Sequence, residues 1–287
     1  MKTVSSVSGN LLDVMELFVP GASRRTLRQM LAQGRVEING TIRCLASFPV
    51  EAGDTVKISA RKLHTRFPKG MDLLFEDDAI IVIHKPSGLL TVATVDEREK
   101  TVYACLSACL KKQHPRQKLY IVHRLDKFAS GVLVFARAEK VQSILQGFFS
   151  RHDVERKYWA IVEGVMEKDN GTIQSYIAED RSQRMHSTGD AGRGKHAVSH
   201  YRVLKRFSNL STLEVTLETG RKNQIRVHLS EMGHPIVGDQ AYGSIRDPLK
   251  RLGLHAFHLA FNHPLTGTPL CFTTDPPPEF VRYLPSQ

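Results

Sequence analysis

The chain has 287 residues, of which 41% are hydrophobic, and 40 Lys and Arg residues against 29 Asp and Glu residues give it a formal net charge of +11. This length and composition allow one large domain with a real core plus a smaller unit, and they argue against wholesale disorder. No stretch approaches the roughly 20 apolar residues that cross a bilayer, and the first residues lack the apolar core of a secretion signal.

The excess of positive charge favours a polyanionic partner, because Lys and Arg that neutralise phosphates release condensed counterions. An acidic membrane surface would attract the same charge, so charge alone does not decide for nucleic acid. The cysteines show no paired CxxC spacing, and we expect free thiols and a cytoplasmic location. They are Cys44, Cys105, Cys109 and Cys271.

Residues 1–61 are predicted to form a small α+β unit. LLDVMELFV repeats apolar residues at helical spacing, and SRRTLRQMLAQG predicts a second helix with Ser23 as its N-cap and Gly34 as its stop. VEING and EAGDTVKI then predict short strands, with turns at Asn39–Gly40 and at Gly53–Asp54.

Four arginines cover much of the polar surface of the second helix and the residues after it: Arg24, Arg25, Arg28 and Arg35. An arginine-lined helix beside a hairpin is a plausible RNA-binding unit, and a generic α+β fragment with a solvated charged face fits this pattern equally well. The polar segment 62–70 contains Pro68 and Gly70, and it is predicted to be a linker.

Residues 71–287 alternate β-rich runs, such as AIIVIHKPSG, SGVLVFARA and STLEVTLETG, with the helical segments KTVYACLSACLKK and EKVQSILQGFFSRH. Several strands adjacent in sequence predict an α+β fold on a mainly antiparallel mixed sheet. Residues 180–196 are polar, basic and glycine-rich, which predicts either a flexible loop that RNA orders or a plain surface excursion.

One candidate catalytic group lies in HRLDKFASG (123–131), a loop between two apolar runs. Asp126 stands between Arg124 and Lys127, whose positive charge is expected to keep its carboxyl ionised. Taken alone, an aspartate in such a loop is more commonly a turn-former or a surface ion-pair partner.

Two further segments carry candidate site residues. TGRKNQIRVHLSEMGHPIVGD (219–239) places Arg221 and Arg226 where a strand ends and a helix begins, so they could bind phosphate or position an acid, or belong to an ordinary solvated helix. In RKYWAIVEG (156–164), period-two alternation puts Tyr158 on one strand face, where it could stack on a base or simply join the core.

The clustered histidines His255, His258 and His263 invite a metal hypothesis. They lack companion cysteines or carboxylates at a recognisable ligand spacing, so hydrogen-bonded structural histidines are expected and no metal is predicted. The H-x-E…P-C-x-x-C pattern of zinc deaminases is also absent from the sequence.

Taken together, the motifs resemble the RluA-type family of RNA pseudouridine synthases over essentially the whole chain, in family order. The matching segments are HKPSG (84–88), HRLDKFASG, RKYWAIVEG, KHAVSHYRVL (195–204), TGRKNQIRVHL, GHPIVGDQAYG (233–243) and LHAFHLAFNHPLTG (254–267). Residues 1–61 resemble the S-four-like RNA-binding domain through the arginine-rich helix, GRVEING and the closing AGD turn.

The resemblance implies a role for each matching residue. Asp126 corresponds to the catalytic aspartate, Tyr158 to the tyrosine that packs on the target base and is implicated in proton removal at its carbon five, and Arg226 to the basic partner of the aspartate. Arg124 corresponds to a residue that opens the RNA. The pair Lys222–Asn223 departs from the Thr-His that the family commonly has there, so local contacts to RNA are expected to differ.

The resemblance also implies the pseudouridine synthase fold, no cofactor, and RNA as partner, with ribosomal RNA favoured over transfer RNA. A carboxylate can act as a nucleophile at the anomeric carbon or as a base on the neighbouring sugar carbon, and both routes stay open. We expect a monomer. The alternative is a non-catalytic RNA-binding or ribosome-assembly factor on the same fold, against which the intact Asp126–Tyr158–Arg226 set argues.

Overall fold

The structure is a computed structural model that describes residues 2–32, 35–43, 46, 48–59, 71–113 and 116–285. Gly34, Cys44 and the predicted linker 62–70 lie outside these ranges. The domain boundaries 1–61 and 71–287 therefore stay a prediction, because the junction between them is not described.

The N-terminal residues form two helices and short strands: β1 (Lys2–Val4), β2 (Gly9–Asn10), α1 (Leu11–Phe18), α2 (Arg24–Ala32), β3 (Val36–Ile38), β4 (Thr41–Ile42), β5 (Pro49–Val50) and β6 (Thr55–Ile58). Among the described residues, four strands pair antiparallel in the order β1-β6-β3-β4, and β2 pairs with β5. This confirms the predicted helix–helix–hairpin order.

The local signals of this unit act as their chemistry predicts. The Ser23 hydroxyl accepts a hydrogen bond of 3.1 Å from the backbone N–H of Thr26, so it caps α2. Asn39 and Gly40 have φ values of 51° and 79°, which suit a two-residue hairpin turn. The apolar faces of the two helices bury one core against the strands, with Leu11, Met15, Leu27, Leu31 and Val36 almost fully buried.

Residues 71–285 contain the remaining elements: β7 (Asp72–Glu76), β8 (Ile80–Lys85), α3 (Val102–Gln113), β9 (Tyr120–Ile121), β10 (Ser130–Ala136), α4 (Glu139–Ser150), β11 (Glu155–Glu163), β12 (Asn170–Glu179), β13 (Met185–Thr188), β14 (Lys195–Arg206), β15 (Leu210–Leu217), α5 (Gln224–Glu231), β16 (Leu254–Asn262) and β17 (Pro269–Thr273). The described strands form one sheet in the order β13-β12-β14-β15-β11-β16-β10-β8-β7, with β17 beside β16 and β9 beside β10.

This sheet is mixed but mainly antiparallel, because only β10 and β16 pair in parallel among the named strands of the described ranges. The predicted α+β fold is thereby confirmed. Both faces of its centre are buried: Ile81 and Ile83 of β8 pack into the core that α3 covers, while Ile80 and Val82 pack into the core that α4 covers. Such continuous apolar strands need a covering layer on each side.

The prediction of a loop over residues 180–196 is wrong for Met185–Thr188 and for the last two residues, which belong to strands, whereas exposed turns occupy much of the rest, as a surface excursion would. Residues Met185–Thr188 form β13, which pairs antiparallel with β12 from Tyr176 to Glu179. Strand pairing satisfies backbone groups of Met185–Thr188. The polar and glycine-rich composition gave no sign of this strand. No helix within the described ranges is long and apolar enough to cross a membrane.

Candidate active site

Asp126 lies in the loop between β9 and β10. The HKPSGLLT segment (84–91) forms hydrogen bonds to the backbone of this loop. The hydroxyl of Thr91 donates to the carbonyl of Leu125 at 2.7 Å and accepts from its N–H at 3.2 Å. The N–H of Gly88 donates to the carbonyl of Lys127 at 2.9 Å. The residues on both sides of Asp126 are thus tied to a second segment of the chain.

The side chain of Lys85 also connects these two segments by hydrogen bonds. It is fully buried, and its ammonium donates to the carbonyls of Pro86, Leu89 and Lys127 at 2.9, 2.6 and 3.0 Å. Three acceptors match the three N–H donors of a lysine ammonium. Burial lowers the pKa of Lys85 to about 7, and the nearby Asp126 carboxylate opposes this shift.

The guanidinium of Arg226 reaches Asp126, with 3.7 Å between Nη1 and the carboxylate oxygen Oδ2. Its closer partner is Asp239, whose carboxylate accepts from Nε at 2.7 Å and from Nη2 at 2.8 Å. Asp239 is only 3% exposed. The predicted Asp126–Arg226 pair is therefore one side of a triad in which a second, buried carboxylate orients the arginine.

Two further side chains fix the same guanidinium. Asn223 Oδ1 accepts from Arg226 Nη1 at 3.0 Å, and its amide donates to the hydroxyl of Tyr242 at 3.0 Å. The Tyr242 ring lies 4.6 Å from the guanidinium carbon of Arg226. Asn223, with φ of 56°, is well suited to this left-handed position before α5. Asn223, one of the two residues that depart from the family pattern, thus contacts Arg226, the basic partner of Asp126.

Burial raises the pKa of the Asp126 carboxyl, and the guanidinium groups of Arg226 and Arg124 oppose that shift. Of the two neighbours expected to favour the ionised form, Arg124 does so, whereas the Lys127 ammonium lies over the ring of Phe128, 5.2 Å from its centroid. The charges that favour the carboxylate come from Arg226, Arg124 and Lys85 instead. Sequence adjacency predicted Arg124 and the family resemblance predicted Arg226, but neither predicted Lys85.

Tyr158 belongs to β11, where a register shift against β16 falls between Lys157 and Tyr158. Its ring is 8% exposed and packs in the same core as Ala160 and Val162, while Trp159 and Ile161 pack on the other face, as the alternation predicts. Burial raises the pKa of Tyr158, so the phenol is neutral at physiological pH.

Asp126 and Tyr158 line one cavity of about 530 Å³, a size typical of small-molecule sites. Arg124, Arg221 and Lys222 also line it, whereas Arg226 does not belong to its wall and contacts Asp126 from outside it. The Asp126 side chain is 25% exposed, so a ligand in the cavity can reach its carboxylate.

The four N-terminal arginines do not line this cavity. Arg24 pairs with Asp13 and with Glu16, and the Arg35 Nε donates to the carbonyl of Ser59 at 2.8 Å. Arg25 and Arg28 are exposed on α2, and no ion pair of theirs is recorded within the described part of the chain.

The three clustered histidines have hydrogen-bond partners. His255 contacts Ser130 and Thr274, His258 contacts Glu155, and His263 contacts Asp77 at 2.8 Å. Within the described ranges, no group of three or more His, Cys, Asp or Glu side chains is arranged to hold a metal ion.

Sequence reasoning missed three residues of this site: Lys85, Asp239 and Arg156. Lys85 and Asp239 lie in segments that carry the family resemblance, yet nothing in their sequence neighbourhood indicates that the two charges are buried. Arg156 precedes Tyr158 by two residues, so strand alternation places both on one face. That periodicity could have identified Arg156.

Comparisons with known proteins agree with this architecture. A family model for RNA pseudouridylate synthase matches residues 79–231, and a model for the S4 domain matches residues 19–56. The ribosomal large subunit pseudouridine synthase D of Vibrio cholerae is 35% identical over 96% of this chain and 90% of that protein. The protein of the same name from Neisseria meningitidis serogroup A is 32% identical over 97% of this chain and 79% of that protein.

A solved structure, human RNA pseudouridylate synthase domain containing 4, superposes with a TM-score of 0.61 and 27% identity. The match covers 74% of this chain and 90% of that one. Sequence and fold therefore agree: the chain belongs to the RNA pseudouridylate synthase family, whose members isomerise uridine in RNA, and it carries an S4 domain in its N-terminal part.

Proposed function

We propose that this protein isomerises uridines in large-subunit ribosomal RNA and that Asp126 is the catalytic carboxylate. The observation that carries the proposal is the position of Asp126, on the wall of a cavity that Tyr158 also lines and beside the clamped guanidinium of Arg226. The names of the relatives from Vibrio cholerae and Neisseria meningitidis support ribosomal RNA as the substrate class.

The reaction breaks the bond between the uracil nitrogen and the sugar, rotates the base and joins its carbon five to the same sugar carbon. All heavy atoms of the base and sugar stay: the proton leaves carbon five, and the nitrogen that has lost its bond to the sugar takes up a proton, so the product is an isomer of the substrate. Asp126 acts on the sugar as a carboxylate, so the pairing with Arg226 and Arg124 serves to hold it ionised and oriented. Tyr158 packs against the base and takes part in removing the carbon-five proton.

The charged surface supports the binding of structured RNA. A target uridine inside a helix must be unstacked, which costs a few kcal/mol. Arg124 lines the cavity next to Asp126, and we assign it to the opening of the RNA at the target. The S4 domain supplies a second, separate contact to RNA through Arg25 and Arg28 on α2.

We also propose that the protein acts as a monomer in the cytoplasm. Among the described residues, Cys105 and Cys271 form no disulfide bond, which fits a reducing compartment.

The test is tritium release from RNA labelled at carbon five of its uridines, prepared from a strain that lacks the protein. Wild type and Asp126→Asn are compared on ribosomal and on transfer RNA. We expect release from ribosomal RNA by wild type and a loss of about a thousandfold or more in Asp126→Asn, since about 4 kcal/mol of transition-state stabilisation is removed.

The substitution removes a carboxylate whose ionised form burial disfavours, so the variant is expected to fold and to bind RNA as wild type does. Near-wild-type turnover by Asp126→Asn would refute its catalytic role. Intact wild type that binds RNA but releases no tritium from either pool would favour a non-catalytic assembly factor.

A further inference from the structure

Arg156 is a buried cation that the reaction does not account for. The residue is 7% exposed and lies in the wall of the cavity that contains Asp126 and Tyr158. Within the described residues it pairs with no carboxylate. Buried arginines are almost always paired, because an uncompensated charge away from water is costly.

The hydrogen bonds of Arg156 use only part of its guanidinium. Its Nη2 donates to the carbonyls of Leu217 and Glu218 at 3.4 and 3.0 Å, whereas its buried Nε has no acceptor within the described ranges. The guanidinium carbon lies 5.3 Å from the centroid of the Phe149 ring. Backbone carbonyls and a ring hold the side chain in place, but none of them supplies a full negative charge.

A second cation, Arg221, lies beside Arg156 and forms no ion pair with another described residue. Arg221 is exposed in the same cavity wall, and its Nε donates to the carbonyl of His196 at 2.8 Å. No ion pair of Arg221 is recorded in the described part of the chain. Burial lowers the pKa of Arg156, and the charge of Arg221 adds to that shift. Two neighbouring guanidinium groups repel each other unless an anion lies between them or beside them.

Gly220 lets the backbone before Arg221 pass close to the guanidinium of Arg156. A side chain at Gly220 would come within 2.6 Å of Arg156 Nη1. The carbonyl of Glu218 accepts from Arg156 and from the ring nitrogen of His152, which also lines the cavity. Glycine at 220 thus lets the segment after β15 close over Arg156 while Arg221 stays at the surface.

We propose that Arg156 and Arg221 bind a phosphodiester group of the substrate RNA next to the target uridine. The inference rests on the proposed function, because a uridine whose sugar meets Asp126 brings its own flanking phosphates into the same cavity. The planar fork of arginine matches phosphate oxygens, and the bound anion supplies the charge that the two guanidinium groups lack.

The experiment replaces single phosphates of an RNA fragment, already shown to release tritium with wild type, by neutral methylphosphonates on either side of the target. Single-turnover isomerisation is measured for wild type, Arg156→Gln and Arg221→Gln. Arg202→Gln is the matched control, since its side chain lies on β14 outside the cavity and pairs with Glu214.

One methylphosphonate position is expected to slow wild type by about tenfold or more, and both cavity variants to be slowed similarly on natural RNA. A methylphosphonate at that position should slow the variants little further, because they already lack the contact between arginine and phosphate. Arg202→Gln retains wild-type rates on natural RNA and the full methylphosphonate effect.

If every methylphosphonate slows the variants by the same factor as it slows wild type, the effects are additive and the proposal is overturned. The isomerase activity of wild type on natural RNA would still stand. Arg221→Gln alters an exposed side chain, so the test survives if Arg156→Gln fails to fold. Inorganic phosphate is the probe for the other source of this chemistry. If it raises the Tm of wild type but not of the variants, and no methylphosphonate position shows coupling, the site takes free phosphate and the proposed RNA contact is wrong.

Discussion

At the scale of single residues, two carboxylates share one arginine. Asp239 accepts hydrogen bonds from Nε and Nη2 of Arg226 at 2.7 and 2.8 Å, while Nη1 donates to Asn223 and faces Asp126 at 3.7 Å. The Asp239 charge also raises the pKa of Asp126, while the charge of Arg226 lowers it. Asp239 is therefore a positioning residue that acts on Asp126 through Arg226.

Asp239→Asn is expected to lower kcat by about a hundredfold, because a misplaced Arg226 no longer orients Asp126. The pKa of Asp126 is raised in the folded protein, so activity should fall with decreasing pH already above the ordinary aspartate range. Loss of the negative charge at position 239 should move this acid limb of the kcat profile to lower pH. The pH dependence of tritium release measures both effects.

The matched control is Glu163→Gln, whose carboxylate accepts from the N–H groups of Ile245 and Arg246 and so supports the neighbouring turn without touching Arg226. It should leave the acid limb where wild type has it. A shift of equal size in both variants would mean that loosening of the turn, rather than loss of the Asp239 charge, is responsible.

At the scale of elements, the catalytic loop depends on the end of β8. Lys85 ties three carbonyls together, and one of them belongs to Lys127, directly after Asp126. The flanking strands supply rigidity, since β8 and β10 pair over six residues from Ile80–Lys85 to Gly131–Ala136. The loop that carries Asp126 thus has no regular secondary structure, but Lys85 and the paired strands β8 and β10 fix its position.

Lys85→Met keeps the apolar stem and removes the three hydrogen bonds, so we expect a loss of about 3 kcal/mol in the free energy of unfolding, because buried carbonyls stay unpaired. The loop that carries Asp126 should loosen, and kcat should fall with it. Urea unfolding followed by circular dichroism measures the first effect. Lys127→Met is the control for stability, because the carbonyl of residue 127 remains. Equal stability of the two variants would contradict the role of Lys85.

The helices and strands were largely predictable, because they follow local patterns. Apolar spacing predicted α1 and α4, the polar Asn39–Gly40 pair predicted its hairpin turn, and alternation predicted the two faces of β11. The strands β12, β13 and β17 were not predicted, and β13 is made of polar residues that pair with β12. A strand with no apolar periodicity is recognised only through its partner.

At the scale of the whole molecule, we expect the S4 domain to add affinity for RNA at a distance from the cavity where the chemistry takes place. Arg24 is held by Asp13 and Glu16, whereas Arg25 and Arg28 are exposed on α2 with no ion pair recorded in the described ranges. Positive charge that is already neutralised within the protein releases fewer counterions on binding RNA. The three neighbouring arginines are therefore not equivalent.

Arg25→Gln and Arg28→Gln should each reduce the slope of log affinity against log salt by about one, whereas Arg24→Gln should change it little. KM should rise and kcat should stay, because none of these residues lines the cavity. Filter binding at several salt concentrations and steady-state tritium release provide the two measurements. A fall in kcat, or an Arg24→Gln effect as large as the others, would contradict this division.

The sequence by itself determined the class of fold, the order of the elements, the family and the loop that carries Asp126, because these depend on periodicity, turn residues and motif order along the chain. Only the tertiary structure showed that Lys85 and Asp239 act on that carboxylate besides Arg124 and Arg226. Lys85 lies 41 residues before Asp126 in the chain and Asp239 lies 113 residues after it, and only the folded chain brings their charges to this carboxylate. Burial gives each charge its effect, and burial is a property of the folded chain.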